Sequence, residues 1–529
     1  MKAPKIHLPL LIILAGIIFS LYLLSRIPDE VYFSGDAGLK ALLARQFSDG
    51  NLSFNLDLPV PAWVRNLWNN GLYPFEPPFT YQISNRYYIT FPFTFPLVTA
   101  PFYKALGFRG LYIVPLVSTW IIWFNFYRIC QFFKINALIT SVGLATLIFA
   151  APLSIYSAMY WEHTLAVCLA FSGLGIILTK GDKSFDPKNA ILSGVLIGLS
   201  VWFRPEFLVI VAILVILVAI SYRFNLGAAT IINQQKTIFL VSIIVSVLMF
   251  FIINKLIYNH PLGAHALQVV EDFSLRKRLM DAYKYFGTLG MNLLQHFPML
   301  YFAIAIIGLS LFFKNIQLTG TIWKILLISA PFICLVPILL PSDGGKQWGP
   351  RFLLILIPLM TLASIFALQA TLSIKKFGCR YISSAVFATL FVLGFNLNTF
   401  AGTIKCYPVG NTETLDILNF LRQDSHKIVA VAHQYVSQTF ESVFHEKIFF
   451  LTKKPDEVSK LSLGINEQGY QNFIYICPFY DSCFSTPTIP DKLELAAKEA
   501  SFKIQLTEIK RNKKYIIQEA AIIKTDNKG

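Results

Sequence analysis

Charged side chains are scarce in this chain. Of its 529 residues only 14% are Asp, Glu, Lys or Arg, whereas 55% are hydrophobic, and the mean hydropathy is +0.58. A water-soluble fold cannot cover that much apolar sequence with polar surface. The scarcity of charge therefore excludes an ordinary soluble protein and predicts a chain that lies largely in a membrane.

Cysteine is also scarce, and several motifs are missing. Seven scattered cysteines are too few for a disulfide framework or a zinc site. The sequence contains no P-loop, no G-x-S-x-G and no H-E-x-x-H, so it offers no sign of the chemistries these motifs serve. Cys477 and Cys483, in CPFYDSC, stand close enough to pair in an oxidising compartment, and the sequence leaves open whether they do.

Acidic residues are fewer than basic ones, which gives a net charge of +16. Residues 405–529 hold 16 Lys and Arg against 15 Asp and Glu, so the excess lies among the apolar runs. There the positive-inside rule and anionic lipid headgroups account for it. We therefore predict membrane lipids, and no nucleic acid, as partners.

Apolar runs recur along residues 1–400, and basic clusters separate them at regular intervals. The first run, 7–25, predicts a signal anchor because no small-residue cleavage site follows it. Placing the basic clusters in the cytoplasm predicts about eleven net crossings and an external C-terminus. The predicted runs are 7–25, 136–152, 164–179, 190–203, 206–222, 237–254, 298–313, 325–340, 352–370 and 381–400, with one crossing within 89–127.

The segment 89–127 holds apolar sequence for two spans, broken by Lys104 and Arg109. Only one crossing keeps the charge pattern intact, so residues 91–106, rich in proline, are predicted to form a short or re-entrant helix. The alternative, two full crossings, would invert the orientation of everything downstream.

The composition changes near Lys405 and divides the chain in two. Residues 1–404 predict an all-α polytopic membrane domain with large external loops at 26–88 and 256–297. Residues 405–529 predict a small extracytoplasmic α/β domain. Its predicted strands are 427–432, 447–451, 473–477 and 514–518, and its predicted helices are 413–422, 455–461 and 491–500.

The first external loop contains an amphipathic stretch, Asp36–Phe47, followed by Pro61–Trp68 with two tryptophans. Such segments lie in the headgroup plane with aromatics at the interface. This pattern predicts a loop that meets a lipid-borne substrate at the membrane surface.

Two acidic positions on the external side are candidates for chemistry. Asp36 follows the first span closely and is either a helix N-cap or a functional carboxylate. Glu162 and His163 are the titratable groups of a short loop between apolar spans, and they are either an exposed interfacial pair or a site.

Basic residues face the same side. Arg204, in WFRPE, either pairs with Glu206 or holds a lipid phosphate with its bidentate guanidinium. The glycine-rich loop DGGKQWGPR supplies Lys346 and Arg351, an anion-binding composition that a plain solvated turn would also explain.

A divalent metal could bridge Asp36 and Glu162, with His265 as a further ligand. These ligands are too few to establish a metal, so no cofactor is certain. His260 and His265 are candidates for additional ligands or base contacts, but the sequence favours loop histidines satisfied by their neighbours.

The order of the segments carries a resemblance. An acidic residue in a large first external loop precedes NRYYITFPFTFPLVTAPFYKALG, then the acid/His loop, FRPE and GGKQWGPRFLLILIPL. This order resembles the GT-C superfamily of polyprenyl-phosphate-sugar-dependent glycosyltransferases, which includes protein O-mannosyltransferases and the aminoarabinose transferases that modify lipid A. The resemblance covers nearly all of residues 1–400 and the external C-terminal domain.

The resemblance implies catalytic roles for Asp36, Glu162 and His163, and phosphate binding by Arg204, Lys346 and Arg351. Asp36 would deprotonate or position the acceptor. Many relatives have an acidic pair in the first loop, whereas Asp36 is flanked by Gly35 and Ala37, which leaves metal use and acceptor class open.

The resemblance thus implies an integral membrane glycosyltransferase that moves a sugar, with inversion, from a polyprenyl-phosphate carrier to a lipid, glycan or protein acceptor. It also implies a bacterial plasma membrane, with the active site and the C-terminus on the extracytoplasmic side. The alternative is a transporter or flippase of a lipid-linked or amphiphilic substrate, although the sequence lacks the internally repeated halves typical of transporters.

Overall fold

The computed structural model describes residues 7–180, 185–223, 232, 234–267, 274–313, 318–340, 342, 344–345, 347–374, 377–406, 411–478, 492–496 and 502–524. Helices dominate this part of the chain, and strands lie mainly near its C-terminal end. The helices are α1 (Leu8–Ser25), α2 (Gly35–Ser48), α3 (Ala62–Leu67), α4 (Thr94–Leu106), α5 (Ile113–Phe132), α6 (Ala137–Phe149), α7 (Leu153–Tyr156), α8 (His163–Lys180), α9 (Pro187–Phe203), α10 (Leu208–Arg223), α11 (Lys236–Tyr258), α12 (Leu275–His296), α13 (Met299–Phe312), α14 (Gly320–Leu339), α15 (Leu356–Leu372), α16 (Phe377–Phe395), α17 (Gly402–Cys406), α18 (Asn411–Gln423), α19 (Gln434–Thr439) and α20 (Pro455–Asn466).

The chain forms two compact units, and the first loop belongs with the C-terminal residues. One unit comprises Met1–Arg26 and Leu111–Cys406, and the other comprises Ile27–Gly110 and Tyr407–Gly529. We call them the helical unit and the mixed unit. This differs from the predicted division at residue 404, which assigned the loop 26–88 to the membrane domain. Hydropathy cannot detect a domain whose halves lie far apart in sequence.

The helical unit carries the apolar runs, and every predicted run contains a helix. Within the described residues, six helices are long and apolar enough to cross a membrane, or seven if α12 and α13, bent by 101°, count as one span. Shorter apolar helices include α6, α9 and α15. The predicted multi-pass membrane architecture is confirmed, while the number of eleven crossings stays a prediction.

Small residues let the helices of this unit approach closely. A Cβ on Gly173 of α8 would lie 2.6 Å from Ile197 of α9, and one on Gly198 would lie 2.5 Å from Ser246 of α11. Because lipid provides no hydrophobic drive between helices, such close contact is what stabilises their association. These contacts hold α8, α9 and α11 together below the loops that carry the candidate site.

The mixed unit is built on a six-stranded sheet. Its strand order is β4-β3-β5-β8-β7-β6, parallel across β4, β3 and β5 and antiparallel across the rest. A separate hairpin, β1 with β2, lies in the first loop. The strands are β1 (Thr80–Ile83), β2 (Arg86–Ile89), β3 (Ile428–Val431), β4 (Ile448–Leu451), β5 (Asn472–Pro478), β6 (Lys492–Ala496), β7 (Phe502–Arg511) and β8 (Tyr515–Lys524).

The predicted C-terminal α/β domain is confirmed with one wrong element. The predicted helix 491–500 contains instead the edge strand β6, which pairs with β7, and residues 497–500 lie outside the described part of the chain. Residues 492–495 read Lys-Leu-Glu-Leu, a period-two alternation typical of a strand. The helix was predicted because Leu, Glu, Lys and Ala are good helix formers. Pairing with β7 overrides this weak helix propensity.

The first loop does not lie open at the membrane surface as predicted. Helix α2 is buried on most sides, including Leu39, Leu43 and even Lys40, whose ammonium lies 4.8 Å from the centroid of the Phe91 ring. A Cβ on Gly38 would fall 1.8 Å from the backbone oxygen of Gln438 in α19. The headgroup-plane prediction for Asp36–Phe47 is therefore wrong, because the apolar face packs against protein.

Helix α4 is a short helix, as predicted for residues 91–106. Its 13 residues rise about 20 Å, less than the roughly 30 Å of a bilayer core. Leu97, Phe102 and Leu106 are exposed on its surface. A re-entrant path for this helix stays a prediction.

Candidate active site

Two acidic side chains meet one arginine in the helical unit. Glu162 immediately precedes α8, and Arg204 follows α9, which ends there because Pro205 cannot continue a helix. Pro205 opens a short 3₁₀ turn that carries Glu206. Three residues from two connections thus converge, one connection before α8 and the other between α9 and α10.

Arg204 binds both carboxylates in a largely buried cluster. Its Nη1 lies 2.8 Å from Oε1 of Glu162, and its Nε lies 2.8 Å from Oε1 of Glu206. The three side chains are 7%, 1% and 3% exposed, in the order Arg204, Glu162, Glu206. Two carboxylates outweigh one guanidinium, so the cluster has no positive charge to offer a phosphate. The predicted alternative that Arg204 pairs with Glu206 is confirmed, and its predicted contact with a phosphate stays a prediction.

Aromatic rings bring Arg351 and His163 to the same place. The guanidinium carbon of Arg204 lies 5.2 Å from the centroid of Phe352, and that of Arg351 lies 5.0 Å from the same ring. Arg351 also lies 5.1 Å from the ring of Trp161, whose centroid is 5.5 Å from that of buried His163. Cation–π contacts of this kind hold a guanidinium without neutralising it.

The glycine-rich loop before Arg351 is anchored from both sides. Gly349 has a φ of +73°, which favours glycine, and a Cβ there would lie 3.1 Å from His296. Trp348 donates its indole N–H to Oδ1 of Asn398 at 3.2 Å. This anchoring fixes the backbone that presents Arg351. Asp343 and Lys346 lie outside the described residues, so the predicted role of Lys346 stays a prediction.

His265 and Arg278 extend the site. Burial, followed by the positive charge of Arg204, lowers the pKa of His265 to about 4, and the charges of Arg278 and Arg351 add to the effect. His265 is therefore neutral at pH 7. Arg278, near the start of α12, donates from Nε to the carbonyl of Ile338 at 2.9 Å, while its buried Nη2 has no hydrogen-bond partner among the described residues. Sequence reasoning missed Arg278, although the run Leu275-Arg-Lys-Arg-Leu279 was a basic signal.

The predicted metal site stays a prediction. Glu162 accepts a hydrogen bond from Arg204 in this structure. Within the described ranges, no three His, Cys, Asp or Glu side chains converge as a metal would require. Asp36 belongs to the mixed unit, whereas Glu162 and His265 belong to the helical unit.

Asp36 is the second position of α2. Ser34 occupies the N-cap position and donates its hydroxyl to Oδ1 of Asp36. The predicted alternative that Asp36 caps the helix is therefore wrong. A half-buried carboxylate in the first turn is stabilised by the helix dipole. Its catalytic role stays a prediction.

Cys477 is disulfide-bonded at the end of β5. Its predicted partner Cys483 lies outside the described residues.

The architecture is that of a multi-pass helical membrane protein with a small α/β domain. No family model matches the sequence, and no curated protein matches it significantly. Solved structures do match it. The crystal structure of ArnT from Cupriavidus metallidurans bound to undecaprenyl phosphate is 11% identical and gives a TM-score of 0.53, with 96% of this chain and 97% of that chain covered.

Two structures of an Archaeoglobus fulgidus oligosaccharyltransferase are similar as well. The apo form is 12% identical, with 90% of this chain and 70% of that chain covered and a TM-score of 0.51. The oligosaccharyltransferase AglB in complex with an inhibitory peptide and a dolichol-phosphate is 12% identical, with 89% and 69% covered and a TM-score of 0.50. ArnT and AglB are GT-C superfamily members, so the predicted GT-C fold is confirmed.

Proposed function

We propose that this chain is an integral membrane glycosyltransferase that moves a sugar from a polyprenyl-phosphate carrier to an extracytoplasmic acceptor with inversion. The observation that carries the proposal is the group of Arg351, His265 and the Glu162–Arg204–Glu206 cluster at one end of the helical unit. It occurs in a fold shared with a structure that holds undecaprenyl phosphate and one that holds dolichol-phosphate.

The proposed reaction needs cationic stabilisation more than acid catalysis. An acceptor hydroxyl attacks the anomeric carbon, the bond from that carbon to the carrier oxygen breaks, and the carrier leaves as its phosphate. A guanidinium stabilises the departing negative charge without transferring a proton. Arg351 fits this role because Trp161 and Phe352 hold and orient its guanidinium. Arg278, with a buried N–H lacking a partner in the described chain, is a second candidate.

The paired acids have a different proposed role. Arg204 fixes Glu162 and Glu206 in place, and Glu162 with neighbouring His163 stands beside the aromatic group that holds Arg351. Neutral His265 can donate one hydrogen bond to a phosphate oxygen without adding charge. The attacking hydroxyl loses its proton to a base, for which we propose Asp36 on the strength of the family resemblance.

A transfer assay tests the function directly. Purified protein is incubated with radiolabelled undecaprenyl-phosphate sugars and membrane extract, and product is counted. The wild type is expected to transfer at least one sugar. Arg351→Ala should weaken donor use about 10- to 100-fold, the scale of a lost hydrogen bond to a charged group. Arg351→Lys should recover only part of this, because a lysine lacks the planar fork.

Arg380→Ala is the matched control, because this arginine is exposed and donates to the nearby carbonyl of Ile374. It should transfer as the wild type does. Normal transfer by Arg351→Ala would refute the phosphate assignment. Movement of a fluorescent polyprenyl phosphate across proteoliposomes, with no transfer of any sugar, would instead establish the flippase alternative.

A further inference from the structure

The mixed unit contains a cleft that the proposed transfer does not use. It has a volume of about 350 Å³, within the range of small-molecule sites. Three segments form it: the turn that follows α3, the β1–β2 hairpin, and the stretch from Leu451 at the end of β4 to Glu457 in α20. The cleft thus joins the first loop to the C-terminal residues within one unit.

Two buried hydroxyls in this cleft lack hydrogen bonds. Tyr73 is 5% exposed and Thr80 is 2% exposed, and both line the cavity. Neither hydroxyl has a partner among the described residues. A buried polar group without a partner costs about 1–3 kcal/mol, so two of them in one cavity need a reason. A polar ligand in the cleft would satisfy both.

The charged residues of the cleft lining are two carboxylates and one ammonium. Lys453 lies 2.5 Å from Oε2 of Glu76. Glu457 accepts from the backbone N–H groups of Lys453 and Lys454 at 2.6 and 3.2 Å. The formal charge of the lining is therefore −1, which disfavours an anionic ligand. Carboxylate oxygens also accept from hydroxyl groups, so a neutral molecule with hydroxyls fits better than an anion.

Rigid aromatic walls complete the cleft. The rings of Tyr73 and Tyr87 stack with centroids 3.6 Å apart and planes 6° apart. Trp68 packs edge-on against Tyr73 at 5.2 Å and is held by its indole N–H, which donates to the carbonyl of Phe449 at 3.0 Å. The side chains of Asn69 and Gln82, also in the lining, add amide donors and acceptors.

We propose that this cleft is a saccharide-binding site for a neutral sugar of one or a few units. A sugar ring carries apolar C–H faces that pack on aromatic walls, and hydroxyls that both donate and accept hydrogen bonds. The two hydroxyls, the amides and the carboxylates of the cleft can bond to such groups. The proposal does not depend on the transfer reaction, because it concerns binding to the mixed unit alone.

Binding is measured on the full-length chain by saturation-transfer NMR, in a detergent without a sugar headgroup. The probes are maltotetraose, chitotetraose and mannotetraose. We expect at least one probe to bind at millimolar concentration or below. Thr80→Val and Tyr73→Phe each remove one unbonded hydroxyl with little change in shape, and each should weaken binding about 3- to 10-fold.

The matched control is Thr452→Val. Thr452 is also fully buried with an unbonded hydroxyl among the described residues, but its side chain is not part of the cleft lining. It should bind the probe as the wild type does. All three variants should keep the wild-type melting temperature, because each removes a hydroxyl that makes no hydrogen bond within the described part of the chain.

Three outcomes would overturn the proposal. The first is that none of the three probes binds. The second is that both cleft variants bind as well as the control. The third is that both cleft variants melt at a much lower temperature, which would mean that the hydroxyls are hydrogen-bonded in the free protein. A peptide library that binds with the same sensitivity to Thr80→Val, while no sugar binds, would assign the cleft to a protein partner instead.

Discussion

Removing Arg204 should destabilise the helical unit more than removing either acid does. Arg204→Met abolishes two ion pairs at once and leaves Glu162 and Glu206 buried without a counter-charge. Breaking a buried pair by removing one partner costs about 3–5 kcal/mol. Because all three side chains are at most 7% exposed, solvent screens little of this cost.

Single and combined changes separate this effect from simple loss of packing. Glu206→Gln keeps the Arg204–Glu162 pair and an acceptor oxygen, so its cost should stay near 1 kcal/mol. The triple variant Arg204→Met, Glu162→Gln, Glu206→Gln removes every charge of the cluster. It should recover much of the lost stability, since replacing a whole buried charge group is often close to neutral.

The assay is thermal unfolding in detergent, followed by intrinsic fluorescence. Arg204→Met should melt several degrees below the wild type, and Glu206→Gln and the triple variant should fall between the two. Arg380→Met, which changes an exposed arginine, is the control and should melt as the wild type does. If the triple variant is no more stable than Arg204→Met, the loss comes from packing and the electrostatic reasoning is wrong.

Three further predictions concern other parts of the chain. Asp36→Asn should fold and bind donor but transfer about 10²–10⁴-fold more slowly if Asp36 is the general base, and more than a tenth of wild-type transfer would contradict that role. A reporter active only outside the cytoplasm should be active after Gly529 and silent after Lys183, and the reverse pattern would invalidate the predicted orientation. Burial raises the pKa of Glu441, which accepts from the Tyr32 hydroxyl at 2.5 Å, to about 7. The folded state therefore prefers the protonated acid, so stability should fall by up to about 3 kcal/mol as pH rises from about 4.5 through 7. Thermal unfolding against pH should show this slope in the wild type and a weaker slope in Glu441→Gln.

Local patterns predicted the helices well and long-range pairings poorly. Each predicted apolar run contains a helix. These runs could be predicted because hydropathy and the spacing of basic residues depend only on neighbouring positions in the chain. The sequence could suggest that Arg204 pairs with Glu206, because the two residues are only two positions apart. Its second pair, with Glu162, spans 42 residues and depends on how α8 and α9 pack. No spacing rule predicts such a contact.

The first loop shows the same limit. The stretch Asp36–Phe47 was correctly predicted as a helix, but its apolar face was assigned to lipid. The surfaces that cover it include α19, which lies some 400 residues later in the chain, and Gly38 is needed for that approach. An apolar stripe indicates that one face of a helix is covered, but the sequence alone does not show whether lipid or another part of the protein covers it.

The discontinuous mixed unit also constrains how the chain threads the bilayer. Trp68 donates to the carbonyl of Phe449, and Lys453 pairs with Glu76, so these two parts of the mixed unit must lie on one side of the membrane. The chain between Glu76 and Phe449 must then cross an even number of times. The predicted scheme satisfies this, because eleven crossings less the first leave ten. If residues 91–106 crossed as a full span of their own, eleven crossings, an odd number, would separate Trp68 from Phe449, and the two halves of the mixed unit would lie in different compartments.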